Sequence, residues 1–117
     1  LYAGTQPAAM HVSRDGGANW EEMTEFRVLG VREGWKDSGE RAARVDTIAA
    51  DRHDSRRLYA GVQIGGPYSS DDGGRTWTGC NEGLFDDLHF LMADPLDSSR
   101  VYAATGGGFH ISRDRGR

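Results

Sequence analysis

The chain of 117 residues lacks several features that mark large classes of proteins. Cys80 is its single cysteine, so no internal disulfide is expected, which weakly favours a reducing, cytoplasmic compartment. No apolar run approaches the roughly 18 residues of a membrane-spanning helix, so the sequence predicts no membrane segment. The formal net charge is only −4, with acids and bases interspersed, which argues against nucleic acid as the main partner. No secretory signal is visible, but we expect the true N-terminus to lie outside the chain, so the compartment stays open.

Motifs for metal and phosphate binding are also missing. His11 and His110 have no cysteine partner and no His-x-x-x-His spacing, so we expect no zinc site. The glycine run 106–108 is not followed by a Lys-Ser or Lys-Thr pair and a helix, so it does not predict a phosphate-binding loop. The adjacent carboxylates Asp86 and Asp87 leave calcium open as an alternative. The sequence otherwise predicts no metal and no cofactor.

What the chain does contain is an internal repeat of two motifs. The octapeptide SRDGGANW at 13–20 returns as SDDGGRTW at 70–77 and begins again as SRDRG at 112–116. A second phrase, of the type Leu-Tyr-Ala-Gly, precedes each copy, at 1–5, 58–62 and 101–105. The distance from its tyrosine to the serine of the octapeptide is 11, 11 and 10 residues. Two motifs at a fixed separation indicate a repeated structural unit.

The length of the repeat predicts four-stranded blades of a β-propeller. The tyrosines of the phrase are 57 and 43 residues apart, and one propeller blade needs about 40–45 residues. Residues 45–51 align with 88–94 as a first strand, which we term A, and the Leu-Tyr-Ala-Gly phrase forms strand B. The segments 10–12 and 66–69 form strand C, and Trp20 and Trp77 open strand D. We therefore predict an all-β fragment of a β-propeller with about two and a half antiparallel blades.

Four segments follow from this alignment. We assign 1–26 to a partial blade with strands B to D, 27–44 to an inserted D–A loop, 45–80 to a complete blade, and 81–117 to a partial blade that ends within the third octapeptide. An open row of blades leaves apolar faces and strand edges exposed. We therefore expect further blades of a longer parent protein to close the ring, or copies of this chain to do so.

The octapeptide is predicted to be structural. Its serine and aspartate accept hydrogen bonds from N–H groups of a C–D hairpin, its glycines adopt positive φ, and its tryptophan packs into the blade. We therefore expect no catalytic residue among its members, which are Ser13, Asp15, Gly17, Trp20, Ser70, Asp72, Gly74, Trp77, Ser112, Asp114 and Gly116.

Strand direction places the B–C and D–A loops on the face opposite the octapeptide hairpins, and we term it the loop face. Loops on a rigid scaffold commonly bind ligands, and the predicted binding residues on this face are Gln6, Gln63, Trp35, Asp46 and His89. Trp35 lies in the insertion with Arg27, Arg32, Lys36, Asp37 and Arg41, a set that suits a sugar or an anion; packing at the blade edge is its alternative. Asp46 and His89 occupy the same repeat position in strand A, the strand that lines the central channel of a propeller. They form either an acid/base or binding pair, or only hydrogen bonds within this channel.

The repeat resembles the bacterial BNR or Asp-box proteins of the sialidase-like and WD40/YVTN/BNR-like propellers. The resemblance depends on the three phrases, the two complete octapeptides, and the segments 57–59 and 100–102. Xyloglucan-degrading glycosidases and photosystem II assembly factors share this style of repeat. The resemblance implies the fold, whereas function depends on sites that differ within such a fold.

Two functions remain open at this point. The first is a non-catalytic module that binds or scaffolds a protein or carbohydrate ligand through its loop face, since no catalytic set is recognisable. The second is a fragment of a sialidase-like or xyloglucanase-like glycosidase whose catalytic residues lie largely on other blades. A glycosidase needs two carboxyls separated by about 5–9.5 Å, and no spacing singles out two among Asp37, Asp46, Asp86 and Asp87.

Overall fold

A computed structural model of the chain describes residues 1–36, 38–39 and 41–117. Within these ranges it contains one helix, α1 (Thr24–Glu33), and ten strands. The strands are β1 (Tyr2–Gly4), β2 (Met10–Val12), β3 (Glu21–Glu22), β4 (Arg44–Ala50), β5 (Leu58–Gln63), β6 (Gly66–Ser70), β7 (Thr78–Gly79), β8 (Leu88–Ala93), β9 (Val101–Thr105) and β10 (Gly108–Ser112).

The strands form three antiparallel sheets in chain order. The first sheet has the order β1-β2-β3, the second β4-β5-β6-β7, and the third β10-β9-β8. Strands that follow each other in the chain pair with each other throughout. The second sheet thus has the predicted order of strands A to D, and the outer sheets contain strands B to D and A to C of the same pattern. The predicted all-β architecture is confirmed.

A helix that was not expected from the sequence, α1, spans the end of the first partial blade and the start of the inserted segment. Helix α1 buries Phe26 and Leu29, which are three residues apart and therefore share one face. It ends at Gly34, whose φ of 70° lies in the left-handed region that glycine adopts readily. The N–H of Trp35 then donates to the carbonyl of Gly30 at 3.0 Å, which closes the last turn. Within the described residues, no helix has the length and apolar character needed to cross a membrane.

The first core cluster joins the first sheet, the second sheet and α1. Its buried residues are Met10, Phe26, Leu29, Ala43, Leu58, Ala60, Val62, Tyr68 and Trp77. The ring of Phe26 lies edge-on to that of Trp77, with centroids 5.1 Å apart and an interplanar angle of 74°. Such an arrangement is favourable between aromatic rings. The helix therefore covers the gap between the first two sheets.

The second core cluster lies between the second and third sheets. It consists of Tyr59, Leu88, Leu91, Val101 and Ala103. Gly61 is required at this junction, because a Cβ on it would lie 2.5 Å from Leu88 Cδ2 and even closer to the methyl group of Thr47. The absence of a side chain at Gly61 lets the third sheet approach the second closely.

Apolar side chains remain exposed on the outward sides of the two outer sheets. They are Leu1 and Trp20 on the first sheet and Phe90, Met92, Phe109 and Ile111 on the third. Tyr102 stacks on Phe109 on this side, with ring centroids 6.0 Å apart. Contiguous exposed apolar surface of this kind marks a place where another protein surface packs.

Candidate functional site

The middle octapeptide forms a closed network of hydrogen bonds. The Ser70 hydroxyl donates to Asp72 Oδ1 and accepts from the Gly74 N–H, both at 2.8 Å. Asp72 also accepts from the Thr76 N–H at 2.9 Å and from the Thr76 hydroxyl at 2.6 Å. The indole N–H of Trp77 donates to the Gly74 carbonyl at 3.1 Å. Both carboxylate oxygens of Asp72 therefore already accept hydrogen bonds within its own turn.

The other two hairpins repeat the network. In the first, Ser13 donates to Asp15 at 2.8 Å, and Asp15 accepts from the Asn19 N–H at 2.9 Å. In the third, Ser112 donates to Asp114 and accepts from the Gly116 N–H, both at 2.7 Å. The glycine two residues after each aspartate has a positive φ, which is 96° for Gly17, 90° for Gly74 and 79° for Gly116. A residue with a side chain would have a strained backbone at such a positive φ, which explains why glycine stands at these positions.

The hairpin hydrogen bonds predict a loss of stability in acid. The Asn19 N–H lowers the pKa of Asp15 to about 2, and the Thr76 hydroxyl lowers the pKa of Asp72 to about 2. An unperturbed aspartate has a pKa of about 3.9. The stabilisation by these hydrogen bonds is therefore complete above that pH and is lost as the pH falls towards 2. We expect the free energy of unfolding, measured by urea titration, to fall between about pH 4 and pH 2.

Two variants separate this contribution from general acid unfolding. Asp72→Asn should be less stable than the wild type at neutral pH and should lose less stability between about pH 4 and pH 2. Asp86→Asn changes the same charge outside the hairpins and serves as the matched control. Equal acid losses in the wild type and in Asp72→Asn would contradict the role of the hairpin bonds.

On the opposite face, two side chains approach the carboxylate of Asp87. Gln63 Nε2 lies 3.5 Å from Asp87 Oδ1, and His89 Nε2 lies 3.5 Å from Asp87 Oδ2. The backbone of Asp87 is fixed as well, because its carbonyl accepts from the Gly106 N–H at 2.9 Å. We term Gln63, Asp87 and His89 the loop-face cluster. Asp87 and His89 are about half exposed, so the cluster is open to a ligand.

Asp46 and His89 both stand at irregular positions of their strands. The register of β4 against β5 shifts between Val45 and Thr47, and that of β8 against β9 shifts between Leu88 and Phe90. Each of the two residues therefore occupies a β-bulge, a feature that changes the direction of a side chain. Asp46 pairs with Arg44 Nε at 2.7 Å, whereas His89 faces Asp87. In the described residues no hydrogen bond or ion pair joins Asp46 to His89.

A cavity of about 360 Å³ adjoins the cluster. It lies between the segment after α1, the turn between β5 and β6 and the segment after β7, and its lining includes Trp35, Lys36, Arg41, Ile64, Asn81 and Asp86. Ile64 follows Gln63 in the chain, and Asp86 precedes Asp87, so the cavity lies beside the cluster. Ile64 and Asn81 were not expected as site residues from the sequence, because neither belongs to a motif and only the folded loops bring them together.

Trp35 contributes to both the core and this cavity. Its ring packs against Phe26 with centroids 5.3 Å apart and against Tyr68 at 5.2 Å. Gly30 makes this packing possible, since a Cβ there would lie 2.7 Å from the indole. The indole N–H of Trp35 is buried and has no hydrogen-bond acceptor among the described residues. Both alternatives for Trp35, packing and ligand contact, are therefore compatible with its position.

The remaining predicted residues lie apart from this cavity. Gln6 donates from Nε2 to the carbonyl of Ala42 at 3.1 Å, so it holds the end of the inserted segment against the first sheet. Asp37 lies outside the described residues. Among those described, no three side chains of the His, Cys, Asp or Glu type converge as a metal site would require. The predicted binding roles of Gln6, Gln63, Trp35, Asp46 and His89 stay predictions.

A larger cavity of about 510 Å³ lies between the second and third sheets. Tyr59, Cys80, Leu91, Val101 and Ala103 are among its lining residues. Val101 and Ala103 stand at the repeat positions of Leu58 and Ala60, which pack with Trp77 in the first core cluster. By position this cavity corresponds to the space that Trp77 fills between the first two sheets, so it belongs to the packing of blades.

Comparison with known proteins gives a curated relative at low sequence identity. No family model matches the chain. The chain is 27% identical over 124 residues to the oligoxyloglucan-reducing end-specific xyloglucanase of Emericella nidulans. The aligned region covers 98% of the chain but only 14% of that protein. The chain therefore spans about a seventh of the length of this curated relative.

Two solved structures share the fold. YCF48 bound to D1 peptide superposes with a TM-score of 0.64 at 16% identity, covering 95% of this chain and 32% of that one. The GH74 xyloglucanase from Xanthomonas campestris superposes with a TM-score of 0.61 at 22% identity, covering 94% of this chain and 18% of that one. Together with the order of the three sheets, these matches confirm that the chain folds as consecutive blades of a β-propeller.

Proposed function

We propose that the chain is a non-catalytic binding module, built from BNR or Asp-box repeats, within a longer β-propeller protein. Its ligand, a protein segment or a glycan, contacts the loop face. The observation that carries this proposal is the contrast between the two faces. The hairpin aspartates accept hydrogen bonds within their own turns, whereas the opposite face combines a cavity with the exposed loop-face cluster.

The chemistry of the loop face suits a ligand with both apolar and hydrogen-bonding groups. Trp35 and Ile64 provide apolar surface, while Lys36, Arg41 and Asp86 place charges of both signs around it. Binding sites commonly combine an apolar lining with a few polar groups that fix orientation. Sugars and peptides both offer such a mixture. The YCF48 structure contains a peptide, and the enzyme relatives are named for xyloglucan, so each ligand class has a precedent in this fold.

Further blades are part of this proposal. The exposed side chains of the outer sheets, Phe90, Phe109 and Trp20 among them, form apolar surface that adjoining blades cover in a closed ring. The matched proteins are several times longer than the segment they share with this chain. We propose that residues 45–80 form one complete blade and that 1–26 and 81–117 belong to its neighbours, with 27–44 inserted between the first two. Assembly from several copies of the chain is the alternative, and sedimentation of the isolated chain distinguishes the two.

Glycoside hydrolysis is the second candidate, favoured by the likeness to xyloglucanases. It requires a pair of carboxyls that face each other across a substrate. Asp46 is paired with Arg44, and Asp87 contacts Gln63 and His89, so these two carboxylates do not face each other as such a pair. At least one carboxyl of a catalytic pair would therefore come from another blade. Incubating the intact protein with xyloglucan, other β-glucans and sialosides tests this activity. Release of reducing sugar would replace the binding proposal with the enzymatic one.

The binding proposal is tested by measuring the affinity of the intact protein for xyloglucan oligosaccharides and for an array of peptides. We expect Arg41→Gln and His89→Ala each to weaken binding of the selected ligand about tenfold, the loss typical of a central contact. Arg75→Gln, an exposed arginine within the middle hairpin, makes the same chemical change on the opposite face and should leave affinity unchanged. If Arg75→Gln weakens binding while the loop-face variants do not, the assignment of the binding face is wrong.

A further inference from the structure

Ile64 lies in the turn between β5 and β6 with a backbone conformation that suits its side chain poorly. Its φ is 62°, in the left-handed region. The Gly65 N–H donates to the carbonyl of Val62 at 3.1 Å, which makes Ile64 the third residue of this turn. A positive φ at that position normally selects glycine or asparagine. A β-branched residue with such a φ is an outlier whose backbone costs free energy.

The surrounding structure fixes this turn without help from the side chain of Ile64. The hydroxyl of Tyr68 donates to the carbonyl of Gly65 at 3.0 Å. Gly65 also packs against Trp35, since a Cβ on it would lie 2.9 Å from Trp35 Nε1. Ile64 itself is 56% exposed, although its sheet has another sheet on either side. Neither its strain nor its exposure is therefore explained by the packing of the chain.

The cavity of about 360 Å³ on the loop face has Ile64 as its most exposed apolar side chain. The two aromatic rings of its lining are engaged elsewhere. Tyr68 is buried, and the half-buried Trp35 packs against both Phe26 and Tyr68. A sugar that binds by stacking needs an open aromatic face. An aliphatic group needs no such face, because it gains its contacts directly from the exposed side chain of Ile64.

The polar part of the lining carries charges of both signs. Lys36 and Arg41 are cations, Glu33 and Asp86 are carboxylates, and Asn81 adds an amide that both donates and accepts. The formal charges of these side chains cancel. A peptide main chain offers carbonyl acceptors and N–H donors in alternation, so it can be bonded by groups of either sign. The lining is thus complementary to an uncharged peptide segment.

We propose that Ile64 is a recognition residue that receives an aliphatic side chain of an extended segment of a partner protein. Leucine, isoleucine or valine of the segment packs against Ile64 in the cavity, and the main chain beside it bonds to the polar lining. The strained turn presents Ile64 for this contact, as local rules of structure are broken chiefly at functional sites. This inference rests on the proposed function and narrows its ligand to a protein segment.

Ile64→Asn tests the proposal because it should change stability and affinity in opposite directions. Asparagine adopts a positive φ more readily, so the variant should raise the thermal midpoint of the intact protein by about 2–4 °C. The probe is the hexapeptide that the intact wild-type protein selects from a positional-scanning array. Its affinity, measured by calorimetry, should fall about tenfold in Ile64→Asn, as expected for the loss of one buried aliphatic contact.

A double-mutant cycle assigns that loss to a particular contact. Alanine in place of the aliphatic residue of the hexapeptide should weaken binding to the wild type about tenfold and binding to Ile64→Asn about twofold or less. Val28→Asn is the matched control, since Val28 is also β-branched and 61% exposed but lies on α1 outside the cavity lining. It should leave the affinity unchanged and should not raise the thermal midpoint.

Three results overturn this inference. The first is an Ile64→Asn protein that is less stable than the wild type, and the second is a cycle in which the two losses add. The third is binding of xyloglucan oligosaccharides that Arg41→Gln weakens and Ile64→Asn does not, which would leave the proposed function standing. If the wild-type protein binds neither the peptide array nor the oligosaccharides, the inference and the proposed function both fail.

Discussion

Replacing Trp77 with alanine is expected to lower the free energy of unfolding by about 3–5 kcal/mol, the range for removing a large aromatic side chain from a core. Trp77 is 7% exposed and packs in the cluster that joins the first sheet, the second sheet and α1. Its loss removes the edge-on contact with Phe26 and the hydrogen bond from the indole to the Gly74 carbonyl. Urea unfolding at neutral pH measures the effect.

Trp20 offers a matched control, because it occupies the same position in the first hairpin. Its indole also donates to a glycine carbonyl, that of Gly17, at 3.1 Å. Its side chain lies on the outward side of the first sheet, however, and the residue is 46% exposed. We expect Trp20→Ala to cost about 1 kcal/mol in the isolated chain, much of it from the hydrogen bond. Equal costs for the two substitutions would mean that the first and second sheets do not pack as described.

A second large effect is expected at Gly61, where one methyl group should disturb the junction of the second and third sheets. Gly61→Ala places a Cβ against Leu88 and Thr47, both on well-packed strands. Overpacking of a core costs about 1–3 kcal/mol, because the backbone or the neighbouring side chains must shift. The measurement is again the free energy of unfolding from urea titration.

Ala104 stands at the equivalent position of the third sheet and provides the control for Gly61. It is half-buried, and its side of the sheet carries the exposed Phe90 and Phe109. Ala104→Val adds two carbons there and should change the stability of the chain by less than about 0.5 kcal/mol. If Gly61→Ala is as stable as the wild type, the second and third sheets do not approach each other as closely at Gly61 as the structure shows.

The fold could be predicted from the sequence because the repeat supplies redundant information. The Leu-Tyr-Ala-Gly phrase and the serine–aspartate octapeptide each give strand position and turn chemistry, and their constant separation fixes the order of strands B, C and D. Helix α1 was not predicted, because only Phe26, Leu29 and Gly30 are buried along its ten residues and the periodic signal is weak. Its stability depends on packing against Trp77, which no local pattern reveals.

The candidate site was predictable only in part. The repeat register placed Gln63 and His89 on one face, and the structure brings both to Asp87. The repeat register did not reveal the bulges that direct the side chains of Asp46 and His89, since a bulge depends on pairing between strands and not on either strand alone. The buried state of Arg57 was equally hidden, because Arg100 has the same repeat position and is exposed. The acidic partner on a neighbouring segment decides whether the arginine at this repeat position is buried or exposed.

A crystal structure of the intact protein would show whether the hairpin aspartates maintain the architecture while the opposite face is left for ligands. We expect Asp15, Asp72 and Asp114 each to be hydrogen-bonded within its own hairpin on one face. We expect Gln63, Asp87 and His89 to lie together on the other face, with the second and third sheets in contact through Gly61. Convergence of the three hairpin aspartates on one shared cavity would contradict this expectation.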